Sequence, residues 1–138
     1  MKGFIYLLIC CLPSVIFGQV KADDILGQYW TENRTGKIEI YKDQSQYYGM
    51  IIWRKEVRKD TENPDEELKS RSVIGIVFLQ NFSNTDKNEW SGGEVYSIDN
   101  GGTYSGKMWL ANDGKTLKMR GYLGISLLGR TATLQRVE

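Results

Sequence analysis

Apolar and polar residues alternate along most of this chain in short runs, and no 3.6-residue pattern extends beyond two turns. Alternation places successive side chains on opposite faces of a strand. Several such runs, evenly spaced with turn residues between them, predict an all-β domain. The runs fall near 28–32, 37–42, 46–53, 73–80, 88–96, 102–110, 115–122 and 129–137. Between them stand Asn33-Arg34-Thr35-Gly36, Asp43-Gln44-Ser45, Asn84-Thr85-Asp86-Lys87, Asp99-Asn100-Gly101-Gly102 and Asn112-Asp113-Gly114. Asn, Asp and Gly tolerate the positive φ that tight hairpins demand. From residue 73 the strands follow one another as a meander. The expected fold is therefore a single antiparallel up-and-down β-barrel of about eight strands, because closure removes both sheet edges.

One segment breaks this rhythm. Residues 54–72 are long and charged, and Asn63-Pro64-Asp65-Glu66 has the form of a helix start: an N-cap, a proline at the first position and acids in the first turn. The pattern predicts a short helix of about two turns, running through Arg71. Such a loop at a barrel mouth would serve as a lid or lie as a solvated surface excursion.

Residues 1–18 read as a secretory signal peptide. Lys2 gives the positive start, Phe4–Ile9 and Leu12–Phe17 the apolar stretch, and Gly18 a small cleavage-site residue. The stretch is too short to span a membrane, and Pro13 interrupts it. Lipidation at Cys10 is disfavoured by the bulky Ile9 before it. The expected organisation is a signal over 1–18 and one barrel domain over 19–138, in an exported protein, periplasmic or extracellular. A domain of this length buries enough surface for one core.

Both cysteines, Cys10 and Cys11, lie in the signal, and the chain has no histidine. The mature protein thus lacks thiol nucleophiles, His general bases and His/Cys zinc sites. No metal or other cofactor is expected. One cation, Lys2, lies within the signal, so the remaining Lys and Arg balance the 17 acids. No basic stripe stands out for nucleic acid or for an anionic membrane, and no stable membrane insertion is expected after signal cleavage.

The residues also carry a resemblance. Asp24-Ile25-Leu26-Gly27, Tyr48-Gly49-Met50-Ile51-Ile52-Trp53, Asn63-Pro64, Arg71 with Gly75, Trp90-Ser91-Gly92-Gly93 with Tyr96, Gly102-Thr103-Tyr104 and the long run Arg120 to Thr131 resemble the DUF2147 family of exported bacterial proteins. The likeness covers nearly all of residues 22–137. It implies a lipocalin-like barrel and brings no catalytic residues. That family usually reads Gly-x-Trp at its first strand, similar to the lipocalin pattern in which the Trp packs under an Arg from the last strand. Here the matching position is Tyr29, with Trp30 on the opposite face. Either Tyr29 takes the aromatic role or the strand start is bulged. The resemblance implies Arg130 or Arg136 as the arginine of such a pair.

Candidate ligand-binding residues are the strand aromatics Trp53, Trp90, Tyr96, Tyr104 and Tyr122, with Arg71 at the end of the long loop. Aromatics give apolar walls with polar tips; alternatively they fill an eight-stranded interior, which is just wide enough for either role. Arg71 would grip an anionic head group, whereas Arg120 and Arg130 would be structural. The apolar connection Gly124–Gly129 is either an inward plug or an exposed tip. Asp60, Glu62, Asp65, Glu66 and Glu67 read as a solvated charge run. The leading expectation is a non-enzymatic carrier of a small, largely apolar ligand, lipid or fatty-acid-like. The alternatives are a packed barrel acting as an envelope interaction or structural module, and an acid/tyrosine enzyme in the barrel mouth.

Overall fold

The structure is a computed structural model that describes Gly3, residues 20–122 and residues 129–138. Eight strands follow in order: β1 Gly27–Trp30, β2 Gly36–Asp43, β3 Gln46–Arg54, β4 Val77–Asp86, β5 Glu89–Tyr96, β6 Thr103–Leu110, β7 Thr116–Tyr122 and β8 Arg130–Arg136. Each pairs antiparallel with the next, and β1 pairs with β8 through Tyr29–Arg136 and Trp30–Gln135. The sheet is thus a closed up-and-down barrel, as the alternation predicts.

Two elements differ from expectation. The fourth strand begins at Val77 rather than residue 73, because Gly75 adopts φ +96 and bends the chain before it enters the ladder. It then runs to Asp86, past the predicted turn at Asn84. The Asn84 amide bonds the carbonyls of Asp86 (2.8 Å) and Glu89 (3.0 Å), so its turn chemistry serves a local irregularity in the β4–β5 pairing. The predicted helix is a single 3-10 turn, Glu66–Leu68, capped by Asp65. Asn63 is not the cap: its side chain is buried and accepts from the Asp65 N–H at 2.8 Å while donating to Asp60.

The interior has a packed half and an open half. Trp90, Phe82, Tyr29, Met108, Leu110 and Leu117 are fully buried in the packed half. Phe82 fits because inward positions beside it are glycines: a Cβ on Gly106 would stand 2.6 Å from the Phe82 ring. Large-beside-small packing of this kind fills a core without strain.

Arg136 closes the packed end. Its guanidinium lies 4.8 Å from the centre of the Tyr29 ring and donates to the Tyr29 hydroxyl (2.8 Å). It also donates to the carbonyls of Leu26 (2.8 Å), Asp24 (2.5 Å) and Gly114 (2.7 Å). The Tyr29 hydroxyl in turn donates to Ile25, whose side chain is fully buried in the 3-10 turn Ala22–Ile25. Burial pushes the Tyr29 phenol up to about 12, against the pull of Arg136, so it stays protonated as a donor. Gly27 is required here twice over. It adopts φ +135, and a Cβ would meet Arg136 Nη1 at 2.6 Å.

The long loop, residues 55–76, is tied down. Asp60 has no exposed surface and accepts from Tyr96 Oη (2.6 Å), Asn63 Nδ2 (2.8 Å) and Arg71 Nε (3.0 Å). Lys59 bridges Ser72, and the Val73 N–H donates to Arg58 O at 3.0 Å. Burial raises the Asp60 carboxyl, but the donors from Tyr96, Asn63 and Arg71 outweigh it and hold it below the ordinary carboxylate value. Among the clustered acids, Asp60 is thus a buried anchor, while Glu62, Asp65, Glu66 and Glu67 are exposed as expected.

Two outcomes follow from these ties. Arg136→Met leaves three carbonyls without their donor and should lower stability by roughly 3 kcal/mol, since each unmet buried group costs about 1–3 kcal/mol; urea unfolding measures it. Because the folded Asp60 pKa is depressed, its contribution is complete above about pH 4 and fades as pH falls through the lowered value. Asp60→Asn should therefore mimic acid at neutral pH, weakening loop anchoring by about 2 kcal/mol. Limited proteolysis within 55–76 would accelerate while the barrel melts nearly as before.

Candidate functional site

In an up-and-down barrel the ends of β1, β3, β5 and β7 meet the starts of β2, β4, β6 and β8 at one rim. Here that rim is the end opposite Arg136, and it opens into a cavity of about 610 Å³. Such a volume lies within the range of small-molecule sites, about 300–1,000 Å³. Its wall is apolar: Ile38, Ile51, Phe78, Val95, Met119 and Leu134 all line it. These are inward positions of their strands, and they continue the stripe that forms the packed half.

The polar groups gather at the mouth. Lys37, Arg54, Asp99, Asn100, Tyr104 and Arg130 all line the cavity. Asp99, the one carboxylate in this lining among the described residues, is already paired with Arg58 Nη2 at 2.6 Å. Tyr104 pairs in register with Val95, an inward position, and its hydroxyl accepts from Asn100 Nδ2 at 2.7 Å. The phenolic proton is therefore available to a second acceptor. Arg54 and Arg130 have no ion pair among the described residues, and Arg54 Nε is buried with no hydrogen-bond partner.

Arg54 reaches the interior because β3 is bulged. Ile38 pairs with Ile51, Lys37 with Trp53 and Gly36 with Arg54, which leaves Ile52 unmatched. The extra residue reverses the alternation. Trp53 turns outward, where its ring meets the Trp30 edge at 6.0 Å, and Lys37 lies 4.4 Å from the Trp30 ring centre. Arg54 turns inward, opposite the buried Gly36. Strict alternation from Tyr47 predicts the reverse.

The sequence-predicted residues therefore separate. Tyr104 lies in the cavity. Trp53, Tyr96 and Tyr122 contribute to its rim, with Trp53 40% exposed and its ring on the outer face. Tyr96 points its hydroxyl at Asp60 and serves the loop. Tyr122 pairs with Ser105, an outward position. Trp90 belongs to the packed half, 6.3 Å from Tyr47 ring to ring. Arg71 does not reach the cavity: it is held by the buried Asp60 through Nε and Nη2, each at 3.0 Å. It borders a separate surface groove of about 650 Å³ between the long loop and the outer faces of β4 and β5.

Arg54, Arg130 and Met119 were not among the predicted ligand residues. Arg130 was legible, since it shares a face with Ala132, Leu134 and Arg136. Arg54 was hidden by the bulge. The export segment, apart from Gly3, and the apolar connection 124–128 lie outside the described residues.

Among the described residues, the arrangement is that of a barrel with one end closed by Arg136 and an apolar cavity toward the other rim. No curated protein matches the sequence. Among solved structures, the chain is similar to protein HP1028 from the human pathogen Helicobacter pylori, described as belonging to the lipocalin family. The two share 25% identity at a TM-score of 0.76, over 86% of this chain and 84% of the other. The family model described as "Uncharacterized protein conserved in bacteria (DUF2147)" matches residues 27–136. With that match spanning the whole barrel from β1 to β8, the chain belongs to the DUF2147 family of bacterial proteins.

Proposed function

We propose that this protein is an exported, non-enzymatic carrier that holds a small, largely apolar ligand inside its barrel. The observation that supports it is the division of the interior. One half is filled by fully buried side chains, and the other is a cavity of about 610 Å³ with an apolar wall and a polar mouth. A barrel whose interior served only stability would gain by filling that half with apolar side chains, which pack and bury one another. The similarity to a protein described as lipocalin-family points the same way. Export rests on the signal-like pattern of residues 1–18.

Burying ~300 Å² of ligand surface at ~25 cal/mol/Å² yields about 7 kcal/mol before association costs. Those costs run from about 4 kcal/mol upward. The apolar wall alone therefore supports only weak binding, and a polar anchor at the mouth decides affinity.

A second reading, an interaction module, is favoured by the groove beside the long loop, where Leu68 and Ile74 are exposed. An enzymatic reading has no comparable support, since among the described residues Asp99 is the one carboxylate in the cavity lining and it is engaged by Arg58.

Gly121 offers a direct test of the carrier. It lines the cavity, and a Cβ there would make ordinary contacts of 3.6–3.9 Å with Tyr104 and Val95. Gly121→Leu should fill the cavity, leave the melting temperature unchanged or higher, and weaken uptake of a fluorescent fatty-acid probe by about tenfold or more, worth ~1.4 kcal/mol. Undiminished uptake would place the probe elsewhere. For the module reading, Leu68→Ser with Ile74→Ser should abolish co-purification of a partner and spare probe uptake; persistent co-purification rejects it.

A further inference from the structure

We infer that the ligand is an anionic single-chain amphiphile, with Arg54 receiving its carboxylate or phosphate head inside the barrel mouth. This inference rests on the carrier reading and names the chemistry its cavity selects. Three observations carry it.

The first is the cost of Arg54 as it stands. Its Nε is buried and has no hydrogen-bond partner, and no carboxylate pairs with its guanidinium among the described residues. A buried donor left unmet destabilises the fold, and nearly all such groups in folded proteins find partners. An oxyanion is the partner that fits a guanidinium, through the two parallel N–H···O bonds its planar fork offers.

The second is that Arg54 is aimed inward by a specific backbone feature. Without the extra residue at Ile52, alternation would place Trp53 in the cavity and Arg54 in solvent. Bulges that re-aim side chains are recurrent features of barrel rims and binding sites. Here the bulge exchanges an aromatic for a cation at the point where the apolar wall ends.

The third is the charge balance of the lining. Arg54 and Arg130 face the cavity, and the one lining carboxylate among the described residues, Asp99, is neutralised by Arg58. Tyr104 retains a hydroxyl proton to donate. The mouth is therefore net positive, although the mature chain is close to neutral. A neutral apolar ligand would leave these cations unsatisfied, and a cationic one would be repelled. Below them Ile38, Met119 and Leu134 offer only hydrocarbon, which suits a single chain.

The test is calorimetric titration, below micellar concentrations, with dodecanoate, dodecyl phosphate, dodecanol and dodecyltrimethylammonium. At least one anion should bind about 10- to 100-fold more tightly than dodecanol, the range of a charge-assisted pair. The stronger anion identifies the head group, and the ammonium amphiphile should bind most weakly. Arg54→Met should abolish this preference, bringing both anions down to the affinity of dodecanol, and Arg54→Lys should retain part of it. If dodecanol matches both anions, or if Arg54→Met keeps the preference, the inference fails and the carrier stands. If none of the four binds, the carrier fails and takes the inference with it. Ligand-free Arg54→Met should melt no lower than wild type, because no folding contact is lost. A lower melting point accompanying lost preference would assign Arg54 to barrel architecture and overturn its role as receptor.

Discussion

The barrel depends on how β8 returns to β1. Only two residue pairs join these strands, Tyr29 with Arg136 and Trp30 with Gln135, the thinnest seam in the sheet. Arg136 reinforces it from inside by gathering the hydroxyl of Tyr29 and carbonyls from the N-terminal turn and the β6–β7 connection. One side chain therefore ties both ends of the chain to a hairpin between them. A guanidinium suits this because it is permanently charged and carries five donors in a plane. Its burial is tolerated because the Tyr29 ring covers its face and backbone oxygens meet its edge. Gly27 is the counterpart in the backbone, since any side chain there would occupy the guanidinium's place.

Sealing one end leaves the other free to differ. The packed half uses glycine beside aromatic, as at Gly106 and Phe82, to bring the wall close around large rings. Toward the mouth the inward residues include Val95, Ala132 and Gly121, whose small side chains leave room for a cavity beside Met119 and Tyr104. The same eight strands thus hold both a core and a pocket, with the boundary set by side-chain volume along each inward stripe.

Function and stability are also divided among the arginines. Arg136 and Arg71 are each held by hydrogen bonds and serve architecture: the sealed end and the long loop. Arg54 and Arg130 face the cavity without an ion pair among the described residues. Asp60 draws this line, because its burial commits Arg71 and Tyr96 to the loop and removes both from ligand recognition. A charged loop that reads as solvated is thus anchored by one of its own acids.

By itself the sequence determined the strand count, the antiparallel order and most turns, because alternation and turn chemistry are local properties. The family resemblance narrowed the β8 partner of Tyr29 to two arginines on one face. Only the tertiary structure decided between Arg130 and Arg136, since the choice turns on which end of the barrel is sealed. It alone revealed the Asp60 anchor, whose partners lie 3, 11 and 36 residues away. It alone placed Arg54 inside and Trp53 outside. One unmatched residue at Ile52 reverses a period-two pattern, and a bulge exists only as a mismatch between paired strands, so no single strand's sequence records it.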